Sequence, residues 1–295
     1  MANRLTTIKA SDDRTLGVAQ WGDPDGSVVF ALHGTPGSRF ARHPDEAALE
    51  RAGLRVVTYD RPGYGVSDRL PGRRVVDCAD DVAAIADALG IDRFAVTGGS
   101  GGGPHSLAVA ARLGSRITRA ECNVGVAPFD AEGLDWWAGM DPQNVQEFGW
   151  AAEGEQVLQE NLARLAEKDL ARIAEDPSKI LSDDWQLADA DREKLARPDV
   201  QRVFLEAMRA AYAAGVWGWV DDDLAFLTDW GFSLDEISVP VTVRYGAQDV
   251  LVPAAHGAWL ASHVPGAAVV VHTDGGHLSD PDTRIEELRA LVEAG

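Results

Sequence analysis

An α/β architecture with one helical insertion is the fold class that this 295-residue chain predicts. Three observations carry that expectation. Compact apolar runs alternate with helix-length segments from Ser27 to Cys122 and again from Val239 onward, which is the pattern of parallel strands covered on both faces. The alternation stops near Phe129 and resumes only after about Glu236. One of the runs leads into TGGSGGGPHS (97–106), where a serine stands among five glycines between a strand pattern and a helix pattern.

The elements follow in order. Leu5 to Lys9 and Thr15 to Trp21 alternate in polarity about the turn-like SDD and read as an antiparallel pair. SVVFAL (27–32), LRVVTY (54–59), RFAVTG (93–98) and RITRAEC (116–122) read as parallel strands, with helices around 43–52, 75–89 and 102–113. In VVDCADDVAAIADALG the residues Val76, Ala79, Val82, Ala83, Ile85, Ala86 and Leu89 recur at helical spacing, and Gly90 stops the helix. Beyond Phe129 the pattern is helical, including EQVLQENLARLAEKDLARIAEDP and the amphipathic VQRVFLEAMRAAYAAG. VPVTVRYG (239–246), a helix near 254–262, AAVVVHT (267–273) and a closing helix near 282–292 complete the chain. The expected organisation is an α/β unit made of residues 1–127 and 237–295, with a helical segment at 128–236.

Composition bounds the function. Hydrophobic residues make up 45% of the chain, enough for a core of ordinary size. The 47 acidic and 27 basic side chains leave a net charge of -20, which disfavours nucleic acid and anionic membranes as partners. From Asp130 to Glu236 there are 25 acidic and 9 basic residues, and the carboxylates there read as a solvated surface. Cys78 and Cys122 lack the spacing of a metal site or disulfide framework and are expected to be buried thiols. The first residues lack a secretory apolar segment, and no 18-residue apolar run follows. The expectation is a soluble cytoplasmic protein, monomeric or homodimeric.

The glycine-flanked serine fits a tight strand-to-helix turn. In G98-G99-S100-G101-G102 the glycines permit close chain approach, so the turn can be rigid and still project the Ser100 hydroxyl. Pro104 fits the first helical turn. A purely structural turn and a dinucleotide or phosphate loop are the competing readings, but no G-x-G-x-x-G stands in the required place and no G-x-x-x-x-G-K-[ST] occurs.

A serine nucleophile needs a base, and the base an orienting acid. His277, in HTDGGHLS beyond the last apolar run, is the expected base. His256 and His263 read as surface or capping residues, His272 as a strand residue, His105 as packing below the turn, and His33 as a structural turn residue. Asp249, in RYGAQDVLVP, is the expected acid, with Asp274 and Glu121 as competitors. The order Ser100, Asp249, His277 places each residue beyond a different strand. The backbone N–H groups of Thr35 and Gly101 are the expected oxyanion donors.

Taken together, HGTPGS (33–38), YDRPGYGVSD (59–68), GGSGG (98–102), YGAQDVLVP (245–253) and GGH (275–277) resemble the α/β-hydrolase fold family across nearly the whole chain. The similar branch holds esterases, proline iminopeptidases, non-haem haloperoxidases and carbon–carbon bond hydrolases. The resemblance implies a mostly parallel eight-stranded sheet with helices on both faces and a helical cap. It also implies a pocket-supporting turn at Asp60, Arg61, Pro62 and Gly63. Serine at position 100 departs from the aspartate nucleophile of haloalkane dehalogenases and epoxide hydrolases. The implied activity is hydrolysis of a neutral or weakly polar carboxylic ester or lactone by acyl transfer, without metal or organic cofactor. A prolyl aminopeptidase and a non-catalytic small-molecule binder are the alternatives. Seven of the nine tryptophans lie in the insertion, and Trp136 and Trp137 are expected to line the substrate pocket.

Overall fold

The computed structural model describes residues 4–179 and 185–293. Its strands are β1 (Leu5–Lys9), β2 (Thr15–Gly22), β3 (Ser27–Leu32), β4 (Leu54–Tyr59), β5 (Phe94–Gly99), β6 (Ile117–Asn123), β7 (Val241–Gly246) and β8 (Ala268–His272). They form one sheet in the order β1-β2-β4-β3-β5-β6-β7-β8. β1, β2 and β4 pair antiparallel, and every other neighbour is parallel. The helices are α1 (Glu46–Arg51), α2 (Cys78–Ala88), α3 (Gly102–Arg112), α4 (Pro142–Glu153), α5 (Glu155–Glu175), α6 (Asp189–Leu195), α7 (Pro198–Ala211), α8 (Trp217–Phe226), α9 (Ala254–His263) and α10 (Pro281–Glu293). Helices α4 to α8 all fall between β6 and β7, where the strand rhythm of the sequence stops.

The period-two alternation of the strands assigns side chains to two cores. Phe30 and Leu32 of β3 and Phe94 and Val96 of β5 face the core shared with α2, α3 and α9. Val29 and Ala95 face the opposite core, with Leu49 of α1 and Leu288 and Leu291 of α10. Both faces of the central strands are therefore dry, which explains their unbroken apolar runs. Cys78 and Cys122 are buried and unpaired.

The inserted helices have a core of their own. Leu158 and Leu162 of α5, Met208 and Ala211 of α7, and Trp219 and Val220 of α8 pack together and onto Tyr64, which follows β4. On α7, Val203, Ala207, Met208 and Ala211 are the buried residues, the single apolar stripe expected of a helix lying on a core. Among the described residues, no helix is long and apolar enough to cross a membrane.

Topology places the reactive edge. β3 and β5 are parallel neighbours, with Leu32 opposite Gly98. The chain leaves β3 towards β4 on one side and leaves β5 towards β6 on the other. Their following loops part at the carboxyl ends, opening the crevice where ligands of such sheets bind.

Candidate active site

Ser100 follows β5 with φ at 54°, inside the left-handed region that a non-glycine residue rarely occupies. Two backbone bonds fix it there: Ser100 N–H donates to Asn123 O at 2.9 Å, and Gly103 N–H donates to Ser100 O at 2.8 Å. The glycines are steric necessities. A Cβ at Gly98 would collide with the Gly102 carbonyl, and a Cβ at Gly101 would collide with the Thr35 side chain. A short apolar strand, a reversal too tight for side chains and a helix opening at Gly102 thus force Ser100 to face outward.

Asp249 and His277 arrive from the loops after β7 and β8. Asp249 Oδ1 accepts the Leu251 and Val252 N–H groups at 2.9 and 3.0 Å, leaving Oδ2 to meet His277 Nδ1 at 2.8 Å. Both side chains are nearly buried. Burial acts to lower the His277 pKa, but the Asp249 carboxylate and its hydrogen bond outweigh it, with Asp191 assisting, and the net movement is upward. With Nδ1 bound to Asp249, the remaining ring nitrogen is the one available to the cavity.

Ser100, Gly101, Thr35 and His277 line one cavity of about 380 Å³ between the sheet edge and the inserted helices. Neither the Thr35 nor the Gly101 N–H is used by a backbone acceptor in the loops among the described residues. The apolar wall includes Phe148, Trp185, Phe204, Met208, Trp219 and Phe226.

Behind the Thr35 turn lies a buried ionic cluster. Arg61 Nη2 donates to Gly34 O and Thr35 Oγ1, both at 3.0 Å, and to Asp222 Oδ2 at 2.6 Å. Asp222 also accepts from Thr35 Oγ1 at 2.6 Å and Tyr64 OH at 2.9 Å, and pairs with Arg73 at 2.8 Å. Burial alone would raise the Asp222 pKa, but Arg61 and Arg73 hold it well below the usual carboxylate range. The expectation that Arg61 supports the pocket therefore has a concrete form: it braces the turn from behind. Asp60 accepts the Arg39 N–H at 2.7 Å and the Val66 N–H at 3.1 Å, which fixes the neighbouring loops.

The sequence pattern of a known family, described as the alpha/beta hydrolase fold, matches residues 27–279. The chain belongs to that family. A 2-hydroxy-6-oxononadienedioate/2-hydroxy-6-oxononatrienedioate hydrolase from Cupriavidus pinatubonensis is 27% identical, across 93% of this chain and 89% of that one. A bifunctional esterase/perhydrolase from Acinetobacter calcoaceticus is also 27% identical, across 79% of this chain and 78% of that one. A crystal structure of a hydrolase from Pseudomonas aeruginosa superposes with a TM-score of 0.70 at 22% identity, covering 100% of both chains. The protein is a hydrolase on this fold.

Several residues of this hydrolase sit elsewhere than the sequence suggested. Trp136 and Trp137 do not line the cavity. Trp136 is 3% exposed, donates its indole N–H to Ala127 O at 2.9 Å, and packs edge-on against Phe148 at 4.8 Å. The pair therefore backs the wall, and Trp185 and Trp219 form part of it. His256 is fully buried rather than a surface cap: its ring accepts the Ala127 N–H at 3.1 Å and lies 2.9 Å from Trp136 O. Glu121 is bound to Arg284, Arg244 and Thr97. Asp274 is exposed in the loop before it.

The acidic insertion is not only a solvated surface. Asp221, Asp222 and Asp223 on α8 are all buried. Asp221 binds Arg69 at 2.8 Å, Asp222 belongs to the cluster behind Thr35, and Asp223 lines the cavity beside Glu147 of α4. Three successive carboxylates inside the apolar WGWVDDDLAF were the sequence signal for this, since a carboxylate on an otherwise apolar helix needs a buried partner. Glu147 accepts the Trp219 indole N–H at 2.8 Å, and burial pushes its pKa up to about 7. Burial and the facing Glu147 push Asp223 up as well.

Proposed function

We propose that this protein is a serine hydrolase that cleaves a carboxylic ester or lactone through an acyl-enzyme. One observation carries the reading: Ser100, on a strained strand-to-helix turn, faces the same cavity as His277, whose Nδ1 is engaged by Asp249 at 2.8 Å. Neutral His277 takes the Ser100 proton as Oγ attacks the substrate carbonyl. Asp249 stabilises the imidazolium, and the Thr35 and Gly101 N–H groups receive the oxyanion. His277 returns the proton to the leaving alkoxide, and a water deprotonated by the same ring then releases the acid. In a lactone the leaving alkoxide stays tethered to the acyl group. Helices α4 to α8 act as the cap over this chemistry, and the aromatic wall supports an acyl or alcohol portion larger than acetate.

A second reading is favoured by Glu147 and Asp223, because a carboxyl pair in a cavity whose lining holds no lysine or arginine among the described residues suits a substrate ammonium. This would make the protein a prolyl aminopeptidase. A parallel panel of p-nitrophenyl esters, lactones and prolyl-β-naphthylamide separates the two. Turnover of esters or lactones with little prolyl-amide cleavage is the expected result. Efficient prolyl-amide cleavage with negligible ester turnover would reverse the assignment.

A further inference from the structure

Helix α6 of the insertion grips the loop that carries His277 by its backbone. Asp191 is 1% exposed and accepts the His277 N–H at 2.6 Å through Oδ2 and the Leu278 N–H at 2.9 Å through Oδ1. One turn further along α6, Lys194 Nζ donates to Leu278 O at 2.5 Å and stands 3.8 Å from Asp191 Oδ1. Such close approach requires glycine before the histidine, because a Cβ at Gly276 would collide with the Asp191 carboxylate. The second glycine of GGH is thereby explained by a side chain 85 positions earlier in the chain.

We propose that Asp191 is a positioning residue through which the inserted helices fix the place of the His277 ring and set a negative charge beside it. This rests on the reading of His277 as the general base. Under it the insertion is part of the proton-transfer apparatus as well as a roof: the base is fully assembled only while α6 is seated on the loop. A carboxylate that satisfied the two buried N–H groups with its charge screened from the ring would leave the basicity of His277 unchanged when that charge is removed.

The charged surroundings allow the two roles to be separated. Asp249 follows β7, Asp191 and Lys194 come from α6, and Asp274 and Asp280 lie in the segment of His277 itself. Glu147 and Asp223 line the same cavity as His277, and Arg244 of β7 is engaged by Glu121 and Glu287. Burial opposes protonation of the ring, Asp249 outweighs burial, and the Asp191 charge adds to Asp249. Removing that one charge therefore moves the His277 titration to lower pH.

The test compares wild type, Asp191→Asn, Asp191→Ala and Asp191→Glu with p-nitrophenyl acetate across pH, together with NMR titration of the His277 ring in substrate-free protein. Asp191→Ala is expected to lower kcat by up to about 10²-fold with little change in KM, the scale of loss when a reacting group is displaced by an ångström. Asp191→Asn keeps an acceptor oxygen and loses the charge. It should retain more of kcat while its acidic kinetic limb and ring titration move to lower pH, and Asp191→Glu should return both towards wild type. A folded Asp191→Asn whose limb and titration coincide with wild type, or move upward, overturns the proposal. If Asp191→Ala does not fold, as judged by circular dichroism, the Asn and Glu variants carry the test. Failure of the wild type to hydrolyse any ester would remove the functional reading, whereas the ring titration needs no turnover and judges Asp191 separately.

Discussion

Holding Ser100 at φ 54° costs about 1–3 kcal/mol of backbone strain, a conformation kept because strand, helix and turn packing leave the chain no other path. That rigidity makes the partner residues decisive. Asp249→Asn is expected to lower kcat by about 10⁴-fold, as when the orienting aspartate of a serine-protease triad is replaced, with the fold intact by circular dichroism. The pH profile follows from the raised pKa of His277. In the proposed mechanism the base must be neutral, so kcat/KM should fall on acidification through a midpoint above the ordinary histidine value of 6.5, and a midpoint below it would contradict the upward shift. The loop positions of Ser100, Asp249 and His277, each just beyond its own strand, were legible in the sequence because each lies in a short local motif. Asp191 was not, because His277 lies 86 positions away; for Asp222 the apolar helix signals a buried partner but not that it is Arg61, 161 positions away.

At the scale of elements, strands were readable almost to the residue because both faces of the central sheet are dry, so burial and sequence pattern coincide. Helix starts were less so. α1 begins at Glu46, inside the expected 43–52 span, because Asp45 caps it by accepting the Ala48 N–H at 3.0 Å. The inserted helices were legible as helices, but which aromatic faces the cavity depends on how the helices pack. Trp136 stands one layer behind Phe148. Trp136→Ala should therefore destabilise the protein by about 3–5 kcal/mol in denaturant unfolding. Its kinetics per folded molecule should change little. Trp219→Ala removes cavity wall and the donor to Glu147, so it should raise KM for bulky apolar esters more than for acetate. Equal kinetic effects of the two substitutions would contradict this division between wall and support.

For the whole molecule, the charge distribution is expected to act as a filter on substrate charge. The net charge of -20 is concentrated in the inserted segment whose helices border the cavity, and its field is expected to repel anionic substrates over roughly a Debye length, about 10 Å at 0.1 M salt. Turnover of an ester carrying a carboxylate should rise with ionic strength, and that of its neutral analogue should stay nearly flat. Parallel salt dependence of the two would remove the electrostatic account. The proposed acyl transfer through Ser100 Oγ depends on a bond rather than a field. Labelling with a fluorophosphonate followed by peptide mass mapping reads that bond. One label per chain is expected, on the peptide holding Ser100, abolished by Ser100→Ala and strongly slowed by His277→Ala. Stoichiometric labelling of another residue with Ser100 unmodified would contradict it.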